Sequence, residues 1–101
     1  MKHQFCDALR AVRLAKQLSQ DELGIPQSHA SRLENGQKMP SWERVEALAE
    51  MLGVHPLTLF TLAYAPTANQ QSLSELSGWV QSEITEVAAT LRQQGHWPEE
   101  P

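Results

Sequence analysis

The sequence predicts an all-α protein, with five short helices in one domain followed by a longer amphipathic helix. Two observations carry this. Apolar residues recur at three- and four-residue spacing along successive stretches, and Ser, Pro, Gly and Asn stand at the ends of those stretches, where helices start and stop. The length of 101 residues leaves room for one domain and an appended element. A domain of roughly 60 residues buries only about 60% of the surface its unfolded chain exposes, so it gains from a partner helix or a second subunit. A hydrophobic share of 41% with 20% charged residues fits a globule rather than a disordered tail.

The elements follow in order. Over residues 5–18, Phe5, Leu9, Val12 and Leu14, with Ala8, Ala11 and Ala15, mark a first helix. Ser19 followed by Asp21 and Glu22 is a start signal, a hydroxyl cap with carboxylates in the first turn facing the macrodipole. Gly24 and Pro26, on either side of Ile25, stop this second helix after little more than one turn. A third begins at Pro26, a residue suited to the first helical position, and ends at Asn35-Gly36. Ser41 caps a fourth, with Trp42, Val45, Leu48, Ala49 and Leu52 as its apolar stripe and Gly53 as its close. Pro56 opens a fifth with Leu57, Leu59, Phe60 and Leu62. Residues 1–65 thus form one domain. Residues 66–70 read as a linker, a sixth helix follows, and residues 95–101 read as a loose acidic tail.

Composition excludes several classes of function. Cys6 is the single cysteine, so an internal disulfide and a thiolate metal cluster are both ruled out. His3, His29, His55 and His96 lack metal-ligand spacing, and no metal or cofactor is expected. No apolar run approaches the roughly 20 residues of a membrane span, and the N-terminus lacks the apolar core of a signal peptide, so the expected location is the cytoplasm. No catalytic group or Gly-rich phosphate loop has a convincing context, so no catalytic residue is expected. Cys6, Trp42 and Trp79 read as buried packing residues.

The net charge of −4 is unevenly spread. Residues 1–65 hold seven Lys/Arg and seven Asp/Glu, whereas residues 66–101 hold only Arg92 against Glu75, Glu83, Glu86, Glu99 and Glu100. The acidity belongs to the C-terminal third. A neutral first domain still binds phosphate where its bases cluster on one face.

The informative stretch runs from Ser19 to Gly36. It joins two short helices through a glycine-containing turn, the pattern in which a second helix lies in the DNA major groove and presents its N-terminal side chains to base edges. Gln27 and Ser28 are short, uncharged hydrogen-bonding residues at the start of that helix; a glutamine amide pairs bidentately with adenine, and serine serves several bases. Arg32, one turn after Ser28, reaches either a guanine edge or a phosphate, or else pairs with a neighbouring carboxylate. Ala30 and Leu33 fall on the opposite, buried face. Gln20 sits where backbone N–H groups at a helix start attract anions. Glu34 is expected to tie the helix end to Arg10 or Arg13.

With Leu9-Arg10…Arg13, Leu18-Ser19-Gln20-Asp21-Glu22-Leu23, Ser31-Arg32-Leu33-Glu34-Asn35-Gly36, Met39-Pro40-Ser41 and Leu48-Ala49…Leu52-Gly53-Val54, the chain resembles the Cro/CI-type repressors, the xenobiotic-response-element class of helix-turn-helix regulators. The resemblance covers roughly residues 5–62. It implies a five-helix DNA-binding domain whose third helix reads bases, with base contacts at Gln27, Ser28, Ser31 and Arg32 and phosphate contacts at Gln20, Asn35, Lys38 and Arg44. Between Leu23 and Gly24 the chain is about four residues shorter than the usual family pattern, about one helical turn, which keeps the facial phase but shortens the brace behind the third helix.

In the sixth helix, Leu73, Val80, Ile84, Val87 and Leu91 fall on a heptad seam interrupted by Ser77, and Gly78 costs roughly 1 kcal/mol of helix propensity relative to Ala. Such a helix packs either on its own domain or on its twin; a homodimer is expected, because paired recognition helices about 34 Å apart read an inverted repeat. The expected function is that of a repressor binding double-stranded DNA as a dimer. The alternative is a protein-binding module, for example an antitoxin that neutralises a partner protein.

Overall fold

A computed structural model describes residues 4–65 and 69–95. Its elements are α1 (Phe5–Ala15), a 3-10 helix η1 (Gln20–Leu23), α2 (Gln27–Glu34), α3 (Trp42–Leu52), α4 (Pro56–Tyr64) and α5 (Gln70–Gln93). Every regular element among the described residues is helical. The contacts divide the chain into two units, Met1–Pro66 and Thr67–Pro101.

In the first unit the apolar stripes of the helices close on one core. Phe5, Ala8, Leu9 and Val12 of α1 meet Leu23, Ala30, Leu33, Val45, Leu48, Ala49, Leu52, Leu59 and Ala63. Leu18, Ile25, Val54, Phe60 and Leu62 pack around its edge. Several residues expected in the stripes lie outside them: Ala11, Ala15 and Leu57 are exposed, and so are Leu14 and Trp42. Leu14 faces away from the Leu9–Val12 side of its helix and is exposed, because a two-residue step in a helix turns the side chain by about 200°. Trp42, at the first position of α3, is 66% exposed rather than buried, and covers the core only through one ring face laid against Phe60, with centroids 6.0 Å apart. Cys6 is half-buried, not enclosed.

α1 is shorter than its apolar pattern. It ends at Ala15, and Gln17 takes a left-handed conformation at φ 59°. The N–H of Gln17 then donates to the Leu14 carbonyl and that of Leu18 to the Arg13 carbonyl, closing the helix with a Schellman turn. A non-glycine residue in this position costs roughly 1–2 kcal/mol, and Arg13 offsets part of that cost by donating from Nη1 to the Leu18 carbonyl at 2.9 Å.

Arg13 also forms the ion pair across the core. Its Nε and Nη2 donate to Oε2 and Oε1 of Glu34, at 2.5 and 2.9 Å. Both side chains are almost fully buried. Of the two partners open to Glu34, the chain uses Arg13; Arg10 is exposed and acts on Glu34 only at longer range.

In the second unit, α5 begins at Asn69, whose side chain accepts from the Ser72 N–H at 2.8 Å. Asn69 and Gln70, read as linker, are therefore cap and first residue of the helix. Residues 66–68 and the tail beyond Gly95 lie outside the described residues. Trp79 is exposed, not buried. No single helix among the described residues is long and apolar enough to cross a membrane; α3 and α4 reach that composition only together, across a 104° bend.

Removing one partner of a buried ion pair strands the other and costs about 3–5 kcal/mol. Glu34→Ala is therefore expected to lower the urea midpoint steeply, and an unchanged midpoint would show the pair to be dispensable. The sign of the pH dependence is also fixed. Burial pushes the Glu34 carboxyl up, but hydrogen bonds from Arg13 and Gln20 outweigh it and hold it below the ordinary carboxylate value. The stability it contributes is present above that ordinary value, about 4.3, and is lost as pH falls through the lower folded value. Glu34→Gln should flatten this part of the stability–pH curve.

Candidate nucleic-acid interface

The interface is assembled on η1, the turn after it, and α2. The main chain enters η1 through Ser19 in an extended conformation. The Glu22 carboxylate accepts from the Ser19 N–H at 2.9 Å and from its hydroxyl at 3.1 Å. These two bonds hold the Glu22 carboxyl below its ordinary range, the backbone bond more than the hydroxyl. A four-residue 3-10 helix has poor hydrogen-bond geometry, so this cap matters more here than at the start of a long helix.

Gly24 ends η1 at φ 79°, and an added Cβ would meet the Met51 side chain at 3.4 Å. The turn therefore depends on glycine for its left-handed conformation. Ile25 tucks against the core, and Pro26 follows at φ −55° and ψ 142°. Pro26 is the N-cap of α2, so the helix begins at Gln27, one residue later than the sequence suggests; the Pro26 carbonyl accepts from His29 and Ala30 at 2.9 and 3.0 Å.

α2 buries Ala30, Leu33 and Glu34 and leaves Gln27, Ser28 and Arg32 exposed, with His29 and Ser31 half-buried between the two faces. The helix ends in a second Schellman turn. Gly36, at φ 73°, donates to Leu33, and Gln37 donates to the Arg32 carbonyl at 3.0 Å. The next segment leads to α3, whose cap Ser41 accepts from the Arg44 N–H at 3.2 Å.

Several of the expected contact residues are held together by hydrogen bonds. Nε2 of Gln27 donates to Oε1 of Gln20 at 2.7 Å, and Nε2 of Gln20 donates to Oε1 of Glu34 at 3.1 Å. A chain of hydrogen bonds thus runs from buried Arg13 through Glu34 and Gln20 to the exposed amide of Gln27. The carbonyl oxygen and second N–H of the exposed Gln27 take no part in this chain of bonds, and they are the kinds of group that a bidentate adenine contact uses. Gln20, expected as a phosphate contact, has its side chain engaged with these two neighbours. Ser31 and Asn35 meet each other, the Asn35 amide donating to the Ser31 hydroxyl at 3.4 Å.

The positive charges gather around His29. Its imidazole is held below the ordinary value by burial first, then by the fields of Lys38, Arg44 and Arg32. Lys38 and Arg44, expected at phosphates, and Arg32 on α2 thus all act on this one ring, although they come from three segments. The grouping of these charges around His29 was not legible in the sequence. Neither was the link from Gln20 to Gln27. The seven-residue separation of the two glutamines gives no cue until the turn at Gly24 is known.

Residues 9–59, half of the chain, match the family described as Helix-turn-helix. The chain belongs to this Cro/CI-type helix-turn-helix family, and it is a DNA-binding transcription regulator. No similar curated protein and no similar solved structure was found.

The charge cluster yields a direct test. In the free protein the His29 ring should titrate below the ordinary value of about 6.5. Arg44→Gln should move its midpoint upward when followed by NMR of the ring protons. Identical midpoints in the two proteins would place Arg44 outside the field at His29.

Proposed function

We propose that the protein is a cytoplasmic transcriptional repressor that binds an inverted-repeat operator as a homodimer. The observation that carries this reading is the oriented amide of Gln27 at the start of α2, beside a cluster of Lys38, Arg44 and Arg32. Gln27 and Ser28 read bases, with Ser31 and Arg32 as further base contacts. Lys38, Arg44, Asn35 and the N-terminal end of η1 at Gln20 engage phosphates and set the register, as phosphate contacts do on DNA. Occupancy of the operator excludes polymerase.

The domain division at residue 65 follows from this reading. Residues 1–65 bind DNA, and α5 supplies the dimer contact through Leu73, Val80, Ile84, Val87 and Leu91. Three of these residues support the assignment by standing uncovered, with Val80 45%, Ile84 57% and Val87 54% exposed. Contiguous exposed apolar surface of this kind marks interaction sites. The same face favours one second reading, in which α5 holds a different protein, as an antitoxin holds its toxin. Removal of residues 67–101 would then abolish partner binding and leave operator binding by the first unit intact.

Selection from a randomised duplex pool should enrich an inverted repeat. Gln27→Ala should lose about 1–3 kcal/mol of discrimination at one position of each half-site, and Gln20→Ala should weaken the same position through Gln27. Lys38→Ala and Arg44→Ala should instead weaken all sequences alike and reduce the salt slope by about one each. Failure to enrich any sequence would remove the base-reading role. A Lys38→Ala variant with an altered sequence preference would move that residue from phosphate to base.

A further inference from the structure

We infer that Gln20 is a positioning residue that selects the purine read by Gln27, adenine over guanine, by fixing which way round the Gln27 amide sits. This rests on the base-reading role proposed above for Gln27 and adds to it the source of a base preference.

The order of bonds begins at Glu34. Its buried carboxylate, held ionised by Arg13 and Gln20, is acceptor-only. The atom of Gln20 that meets Oε1 of Glu34 at 3.1 Å must therefore be a donor, and it is Nε2. That leaves Oε1 of Gln20 to meet Gln27, where it accepts from Nε2 at 2.7 Å. Turning the Gln27 amide over would set two carbonyl oxygens against each other at hydrogen-bond distance, with no proton between them. Gln20 is half-buried and Gln27 exposed, so the anchored side chain directs the free one. The last torsion of an unrestrained glutamine is broad and roughly two-fold. A free amide would therefore serve either purine by turning over.

The two purines differ in what they offer the major groove. Adenine presents an acceptor at N7 and a donor at N6, whereas guanine presents acceptors at both N7 and O6. With Nε2 of Gln27 tied to Gln20, the atom on the other side of the amide is Oε1. That oxygen accepts from N6 of adenine, while the second N–H of Nε2 serves N7. On guanine the same oxygen finds only acceptors and is repelled. The preference for adenine is thus imposed from behind the reading residue, across the turn between η1 and α2.

Selection of the full chain from a randomised duplex pool tests this, read as the adenine-to-guanine ratio at the position whose preference Gln27→Ala removes. The unsubstituted protein should favour adenine there by about tenfold or more, the scale of one bidentate contact. Gln20→Met keeps the length of the side chain and removes both amide bonds, and the ratio should fall several-fold. Gln20→Lys offers donors only; paired with Glu34, it donates to Oε1 of Gln27, turns the amide over, and should invert the ratio in favour of guanine. Neither substitution removes a member of the Arg13–Glu34 pair. Each ratio is read within one protein, so the added lysine charge, which acts on all sequences alike, cancels. An unchanged adenine preference in both Gln20 variants would overturn the inference and leave Gln27 as a base reader. So would a guanine preference that survives Gln27→Ala in the lysine variant, because the lysine would then read the base without the amide. If no position responds to Gln27→Ala, the base-reading role falls and the inference with it.

Discussion

The first unit depends on one buried pair of charges. Arg13 and Glu34 lie 21 residues apart in sequence, and joining them fixes the end of α1 to the end of α2. Burial alone would make each charge costly. The cost is met by satisfying nearly every polar atom of the pair: Arg13 donates to both carboxylate oxygens and to the Leu18 carbonyl, while Glu34 accepts a further bond from Gln20. No buried side-chain polar atom among the described residues lacks a partner. The carboxylate, being acceptor-only, dictates the direction of every bond that follows. Gln20 must turn its N–H inward, so its oxygen faces outward, so Gln27 must turn its own N–H toward it. The polarity of an exposed amide at the start of α2 is thus set by the sign of a charge in the core.

This arrangement explains how a helix of four residues holds α2 in place. η1 has only four residues and buries a single side chain, Leu23. By itself it could not orient α2. Three separate constraints do so together: the Ser19–Glu22 cap at its start, the left-handed Gly24 against Met51 at its end, and the Gln20–Glu34 bond across to the far end of α2. Each is short-range, and each uses a residue type with few substitutes.

Much of this was legible in the sequence because it is written in local rules. The periodicity placed α1, α3, α4 and α5, while Ser19 marked the start of η1, Asn35-Gly36 the end of α2, and Ser41 and Gly53 the two ends of α3. Where the reading departed from the structure, residue type alone did not carry the deciding contact or phase. α1 stops at Ala15 because Arg13 reaches over to the Leu18 carbonyl and stabilises the left-handed Gln17, a residue that carries no stop signal of its own. Leu14 and Trp42 fell into apolar stripes on residue type, yet helical phase and end position put them outside the core. In the site, residue types and order announced Gln27, Ser28 and Arg32. The orientation of the Gln27 amide and the grouping of Lys38, Arg44 and Arg32 around His29 arise from three segments meeting in space, and no window of sequence contains them.

The division of charge between the two units bears on how such a protein finds its site. Non-specific attraction to DNA grows with the number of phosphates neutralised. The unit that meets DNA has no net charge, and the second unit carries an excess of acid. On random duplex, therefore, attraction rests on local groups of Lys and Arg rather than on an overall positive charge, and the acid of the second unit opposes it. A weak general affinity for polyanions would favour frequent dissociation and return over long one-dimensional scanning, and would leave the time spent on a sequence to the contacts made with that sequence.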